Sequence, residues 1–300
     1  MTETAAAPVA LRPAVAVVVV NHDAGEALAA FLASIEAEGA AEVIVVDNAS
    51  SDGSSDALDS DSTVRLVRTG SNLGYGAGAN RGLAATDADL VVVSNPDISV
   101  HPGALAALTA AFAADPTLAI AGPCILDPDG TRYPSARRFP SVGVAVGHAL
   151  LGVLLPGNRF TRRYRMADLD PGTLSPVDWV SGACFMARRR ALAELGGFDE
   201  SYFMYLEDVD LCWRAHRAGW TVTYVPAAVV THEHGVSTAR RPYRMLVAHH
   251  RSAFHFASRT TDGWRRMGLP AVALVLGARL LVACARQALG TLHRAAGPGD

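Results

Sequence analysis

Three short stretches carry residues that could do chemistry. Asn95-Pro96-Asp97 follows the apolar run LVVVS and sets a carboxylate where a strand should stop. Hard divalent cations take oxygen ligands, and magnesium commonly uses one or two protein carboxylates, with phosphates and water completing its shell. Asp97 is therefore a candidate metal ligand, with Asn95 helping through its amide. Glu207-Asp208 open a helical pattern behind the aromatic-rich stretch FDESYFMYL. In so dry a setting a carboxylate could act as a general base. Acids at a helix start also complement the macrodipole, which is the plain structural reading. Asp210 and Arg214 follow at i, i+4 and read as a surface ion pair. THEHGVS adds His232 and His234, either of which would suit a third metal ligand.

These groups need elements to position them. Residues 15–21, 42–47, 63–68 and 89–95 are apolar runs typical of buried strands. Helical spacing at 25–38, a glycine-rich helix start at 72–85, a helix at 103–114 and a strand at 118–122 complete an alternating series. Alternation of this kind predicts an α/β fold with a mostly parallel sheet and right-handed crossovers. Ligands bind such sheets beyond the carboxyl ends of the strands. Asn21, Asp47 and Asp97 stand at three of those ends and should share one crevice. Beyond DPDGT, residues 130–167 hold seven arginines and no acid around the apolar run 142–155. DWVSGACFMARR then reads as a strand entering a helix, a helix starts near Glu207, and a strand covers 221–225.

Composition narrows the class. The 300 residues are half apolar, enough for one large core or two small ones. Residues 1–100 hold 14 acids and 4 arginines; residues 101–300 hold 15 acids and 22 arginines, and lysine is absent throughout. The second half could therefore meet an anionic surface. Cys124, Cys184, Cys212 and Cys284 form no CxxC pair and read as reduced, packed thiols. No basic n-region precedes an apolar core at the start, so no signal peptide is expected. One rival reading concerns Gly74-Tyr-Gly-Ala-Gly-Ala79, which fits a dinucleotide-binding pattern and would suit an NAD-dependent dehydrogenase. It follows the third strand rather than the first, which counts against that reading. A non-catalytic sugar-nucleotide-binding protein is a third reading, disfavoured because a binding module needs no base.

The motifs VVVVNH, VVDNASSDGS, SNLGYGAGANRG, SNPD, DWVSGACFMARR, GGFDESYFMYLEDVDLCWR and THEHGVS occur in this order. Together they resemble the family 2 glycosyltransferases of the GT-A fold, over about residues 14–240. The closest likeness is to bacterial rhamnosyltransferases that extend a polyprenyl-diphosphate-linked sugar. The resemblance implies a Rossmann-like, mostly parallel sheet flanked by helices, with 241–300 as a helical, basic extension. It implies Asp47, Asp52, Asn80, Asn95 and Asn21 around the donor nucleotide, and Asp208 as base with Glu207 beside it. Asp97 would hold Mg²⁺ or Mn²⁺ with His232 or His234, and Trp179 and Gly182 would border the acceptor. Asn95 stands where many relatives carry an acid, which leaves the metal requirement open. The implied reaction is inverting transfer from a dTDP- or UDP-sugar, with L-rhamnose favoured over galactofuranose, mannose or glucose. The acceptor would be a polyprenyl-diphosphate-linked or polysaccharide hydroxyl in cell-envelope assembly. No nucleic-acid partner is implied.

A lipid-linked acceptor places the enzyme in the cytoplasm, peripheral on the inner face of the plasma membrane. Residues 237–294 carry ten arginines against one acid. The unbroken apolar run 267–278 is short of the ~18 residues of a spanning helix. Arg279 and Arg286 would share one face of a helix lying in the interface of an anionic membrane. A packed helix or a homodimer contact is the alternative use of this segment.

Overall fold

The computed structural model describes residues 14–139, 166, 172–233 and 242–295. The apolar run 142–155 and His234 lie outside the described residues. The chain begins with strand β1 (Val15–Asn21), helix α1 (Ala27–Glu36), β2 (Glu42–Asp47), β3 (Val64–Arg68), α2 (Tyr75–Leu83) and β4 (Leu90–Ser94). β5 (Ile98–Val100), α3 (Ala104–Ala114), β6 (Leu118–Leu126) and β7 (Ala136–Arg137) follow. After 172 come β8 (Ser175–Pro176), β9 (Trp179–Val180), β10 (Cys184–Arg188), α4 (Arg189–Leu195), α5 (Glu207–Arg217) and β11 (Thr221–His232). Helices α6 (Pro242–Thr260) and α7 (Leu269–Ala295) complete the series, with a 3-10 turn at Gly263–Gly268 between them.

The main sheet runs β3-β2-β1-β4-β10-β6-β11-β5. β1 pairs in parallel with β2 and β4, β2 with β3, and β6 with β11. β10 is antiparallel to β4 and β6, and β5 is antiparallel to β11. The sheet is thus mixed, mostly parallel, and flanked by helices. β1 alternates its valines between two cores. Val18 and Val20 join Tyr75, Phe198 and Val209 on one face; Val17 and Val19 join Leu28, Phe31 and Leu108 on the other. Burial on both faces is why the run is continuously apolar.

Several boundaries differ from expectation. β6 extends to Leu126, and β11 runs through to His232, which puts His232 on a strand end. The Asp210–Arg214 pair is not on the surface. Asp210 is fully buried, and Arg214 Nε lies 2.6 Å from it while also donating to the carbonyls of Leu195 and Gly197. Helical spacing alone does not reveal that loop 195–202 covers that face. Helix α7 is also longer than the apolar run suggested, continuing through Arg279 and Arg286. The stretch 263–289 is long and apolar enough to cross a membrane by length and composition, which the expectation had denied.

Candidate active site

The parallel strands share one carboxyl edge, and the reversed strand β10 starts there. Asn95 N–H donates to the Ala183 carbonyl at 2.8 Å, joining the two sides. β11 delivers His232 to Asp97, with His232 Nε2 3.1 Å from Asp97 Oδ1 and both residues buried. Helix α5 brings Glu207 and Asp208 into the same cleft, which has a volume of about 2160 Å³. That exceeds the several hundred Å³ of a usual small-molecule pocket and suits two substrates side by side. Tyr75 registers the convergence. Its hydroxyl is pushed well above the usual range by burial first, then by Glu207, Cys184, Asp208 and Asp97.

The two adjacent acids differ in environment. Asp208 Oδ2 accepts the Gly182 N–H at 2.7 Å, and Oδ1 accepts the Val209 N–H at 2.8 Å. Burial raises its pKa, while those N–H groups and Arg137 favour its anion. Glu207 is buried, and its Oε2 has no hydrogen-bond partner among the described residues. Burial first, then the neighbouring Asp208, push it up to about 8. Asp208 is therefore the ionised member of the pair near neutrality and Glu207 the protonated one. Gly182 serves the base directly. The Tyr75 hydroxyl donates to the Gly182 carbonyl at 2.6 Å while the Gly182 N–H holds Asp208. A Cβ at 182 would lie 3.0 Å from the Asp208 Cβ.

The loop before α5 is strained and clamped. Tyr205 and Leu206 have φ of 69° and 65°, unusual for residues with side chains and costing of order 1–2 kcal/mol each. Helix α6 holds this loop at successive points. Ser252 Oγ donates to the Met204 carbonyl at 2.8 Å, and Ser201 Oγ lies 2.8 Å from His255 Nε2. Arg259 pairs with Asp199, Arg244 sits over the Phe203 ring, and His249 meets the Tyr205 ring edge-on at 5.5 Å. Burial first, then His250 and Arg279, lower the pKa of His249 to about 4, so it stays neutral.

Asn95, Asp97, His232, Glu207, Asp208, Trp179 and Gly182 all line the cleft. Four expected residues do not. Asn21 is fully buried and donates to Ser50 Oγ and Ser54 Oγ, holding the loop after β2. Asp47 pairs with Arg68 at 3.2 Å. Asp52 caps its own loop and accepts the Gly25 N–H at 2.8 Å. Asn80 brackets the Phe198 backbone, donating to its carbonyl and accepting its N–H, both at 2.9 Å. None of the four is among the residues that line the cleft. Sequence reasoning missed His22, Asp23, Asn48, Asn72 and Arg137, which do line it. Asn48, next to the singled-out Asp47, ties β2 to the glycine turn through the Leu73 N–H and Gly74 carbonyl.

The glycine stretch has a packing explanation. Gly74 has φ +92°, and a Cβ there would meet the Phe203 carbonyl oxygen at 2.2 Å. Cβ atoms at Gly78 and Gly82 would strike Val20 and Val18. These glycines let α2 press against β1 and the 203 loop, so the pattern needs no dinucleotide.

The Asp97–His232 pair fits a divalent ion. Asp97 Oδ1 and His232 Nε2 are hydrogen-bonded to each other at 3.1 Å, and a carboxylate oxygen and an imidazole nitrogen are both donors that such an ion accepts. One carboxylate and one imidazole, with the Asn95 amide alongside, leave positions for diphosphate oxygens and water. Among the described residues no group of three or more His, Cys, Asp or Glu side chains is placed to hold a metal ion.

Comparison with known proteins bears on the fold and the family. The N-acetylglucosaminyl-diphospho-decaprenol L-rhamnosyltransferase of Mycobacterium tuberculosis is 44% identical over 267 residues, 84% of this chain and 87% of that protein. The fold resembles a mannosyltransferase from Pyrobaculum calidifontis, solved with GDP-Man and Mn²⁺, at TM-score 0.56 and 19% identity, covering 94% of this chain and 80% of that one. It also resembles GalNAc-T7, solved with UDP, GalNAc and Mn²⁺, at TM-score 0.58 and 16% identity, covering 75% and 44%. Residues 13–248 match the model described as glycosyltransferase like family 2, and the chain belongs to that family of glycosyltransferases.

Proposed function

We propose that this glycosyltransferase moves L-rhamnose from dTDP-L-rhamnose onto a hydroxyl of an N-acetylglucosaminyl-diphospho-polyprenol, with inversion. One observation carries the chemical reading. A carboxylate whose anion is held by two backbone N–H groups opens onto the same cleft as the Asp97–His232 pair. The sugar and acceptor are supported by the mycobacterial relative's name and its 44% identity.

Asp208 takes the proton of the acceptor hydroxyl, whose oxygen forms a bond to the anomeric carbon. The bond from that carbon to the diphosphate oxygen breaks on the opposite face, and the nucleoside diphosphate departs. Asp97 and His232, with Asn95 beside them, would hold Mg²⁺ or Mn²⁺, which supplies positive charge against the leaving diphosphate. Protonated Glu207 keeps a second anion away from Asp208. Gly182 fixes the base through its N–H, and Tyr75 fixes Gly182.

The acceptor implies work at a membrane. Helix α7 walls the catalytic cleft with Val272, Leu276 and Arg279, which supports a helix lying beside the domain at the inner membrane face rather than crossing the bilayer. The test is turnover with dTDP-, UDP- and GDP-sugars against N-acetylglucosaminyl-diphospho-polyprenol, with the product's anomeric configuration read by NMR. The proposal expects dTDP-L-rhamnose to be used, with inversion. Retention, or a clear preference for another donor, would refute it.

A further inference from the structure

The half of the cleft above the base is built from helices α6 and α7 and the 3-10 turn at Gly263–Gly268. This half has a distinct chemistry. Arg244, Arg265 and Arg279 line it, and none has an acidic partner among the described residues. Between and beyond them are Trp264, Met267, Val272, Val275 and Leu276. Trp264 is 79% exposed and Met267 85%, an unusual state for large apolar side chains beside a catalytic cleft. Arg279 stands near the His249 end of an apolar wall that runs back along α7 towards Trp264, an order that matches a diphosphate followed by a hydrocarbon chain.

The space is continuous with the base. Tyr205 lies two residues before Glu207 and meets His249 edge-on; Arg279 in turn acts electrostatically on His249. That series leads from Asp208 to the arginines along one wall. His249, neutral where it stands, adds no competing charge.

We infer that α6, the 263–268 turn and α7 form the acceptor's binding track. Arg279 and Arg244 hold the acceptor diphosphate, and Leu276, Val275, Val272 and Met267 guide the first isoprene units along α7, away from the base. This rests on the proposed polyprenyl-diphosphate acceptor and adds where that acceptor lies. It makes the C-terminal helices part of the substrate site, not only a means of attachment.

The experiment measures acceptor KM in detergent with two N-acetylglucosaminyl diphosphates, one bearing a polyprenyl chain and one a short alkyl chain. The proteins are wild type, Arg279→Ala and Val275→Asp. Val275 is 36% exposed, so an acid there leaves the fold intact, which an unchanged donor KM and melting point would verify. Arg279→Ala should raise KM about tenfold for both acceptors, the scale of one charge-assisted contact to the shared diphosphate. Val275→Asp should raise KM about tenfold for the polyprenyl acceptor alone. If both variants keep wild-type acceptor KM and lose only binding to anionic phospholipid vesicles, the helices are a membrane anchor and the track is overturned. If wild type uses neither acceptor while turning over another, the parent reading fails and takes this one with it.

Discussion

Glu207→Gln separates the two acids. Glu207 titrates near 8 in the folded chain against an ordinary 4.5, because burial and Asp208 oppose its charge. At pH 7 it is mostly protonated. Glutamine imitates that neutral form, so turnover at pH 7 should stay within about threefold of wild type, against a loss of 10²-fold or more on removing a base. Stability should respond more strongly. Below pH 4.5 both folded and unfolded chains hold the proton. Between 4.5 and 8 the unfolded chain releases it while the folded chain keeps it, so stability falls as pH rises through this window. The whole window corresponds to roughly 3–5 kcal/mol for this one group. Glutamine abolishes the loss. Urea unfolding at pH 5.5, 7.0 and 8.5 should therefore show the variant gaining on wild type as pH rises. The opposite trend of His249, whose lowered pKa costs stability as pH falls below 6.5, is common to both proteins and cancels in the difference. Parallel stability profiles, or a turnover loss like that expected of a missing base, would refute the assignment of the proton to Glu207.

Gly182→Ala would press its new Cβ against Asp208, which must give by a few tenths of an ångström, and should lower kcat by roughly five- to tenfold with donor KM unchanged; a kcat within twofold of wild type would show that the Gly182 contact does not position the base. Asp97→Ala should weaken donor binding measured by calorimetry with Mg²⁺ or Mn²⁺. Wild-type donor binding and turnover that persist undiminished in excess chelator would contradict a metal at Asp97–His232. Full-length protein should sediment with anionic vesicles at low salt and be released at high salt, while a chain ending at Asp262 should not sediment. Binding that survives high salt and alkaline wash would indicate a spanning helix instead.

Much of this site was legible because its groups sit where simple rules look. Asp97 follows a buried strand and Glu207-Asp208 open an amphipathic helix, so strand and helix ends located these side chains, whereas the strand that carries His232 was read as ending at Val225. The parallel half of the sheet was legible for the same reason, from continuous apolar runs. Asn21, Asp47, Asp52 and Asn80 make loop-bracing contacts that the sequence did not show, because a strand-end polar group can brace a loop as readily as it faces a ligand. Only the partners decide, and Arg68, Ser54 and Phe198 come from distant turns. The Tyr75–Gly182 contact spans 107 positions and leaves no local signature. The strain at Tyr205 and Leu206 was equally hidden, since nothing in FDESYFMYL marks a positive φ.

The most direct test of the account replaces the base and leaves the donor site alone. Asp208→Asn keeps the size and one acceptor oxygen for the Gly182 N–H while removing the basic carboxylate. Nucleotide-sugar binding by calorimetry should remain within about threefold, and sugar transfer to the lipid-linked acceptor should fall by 10²-fold or more. Near-normal transfer by this variant would contradict the central claim that Asp208 takes the acceptor's proton.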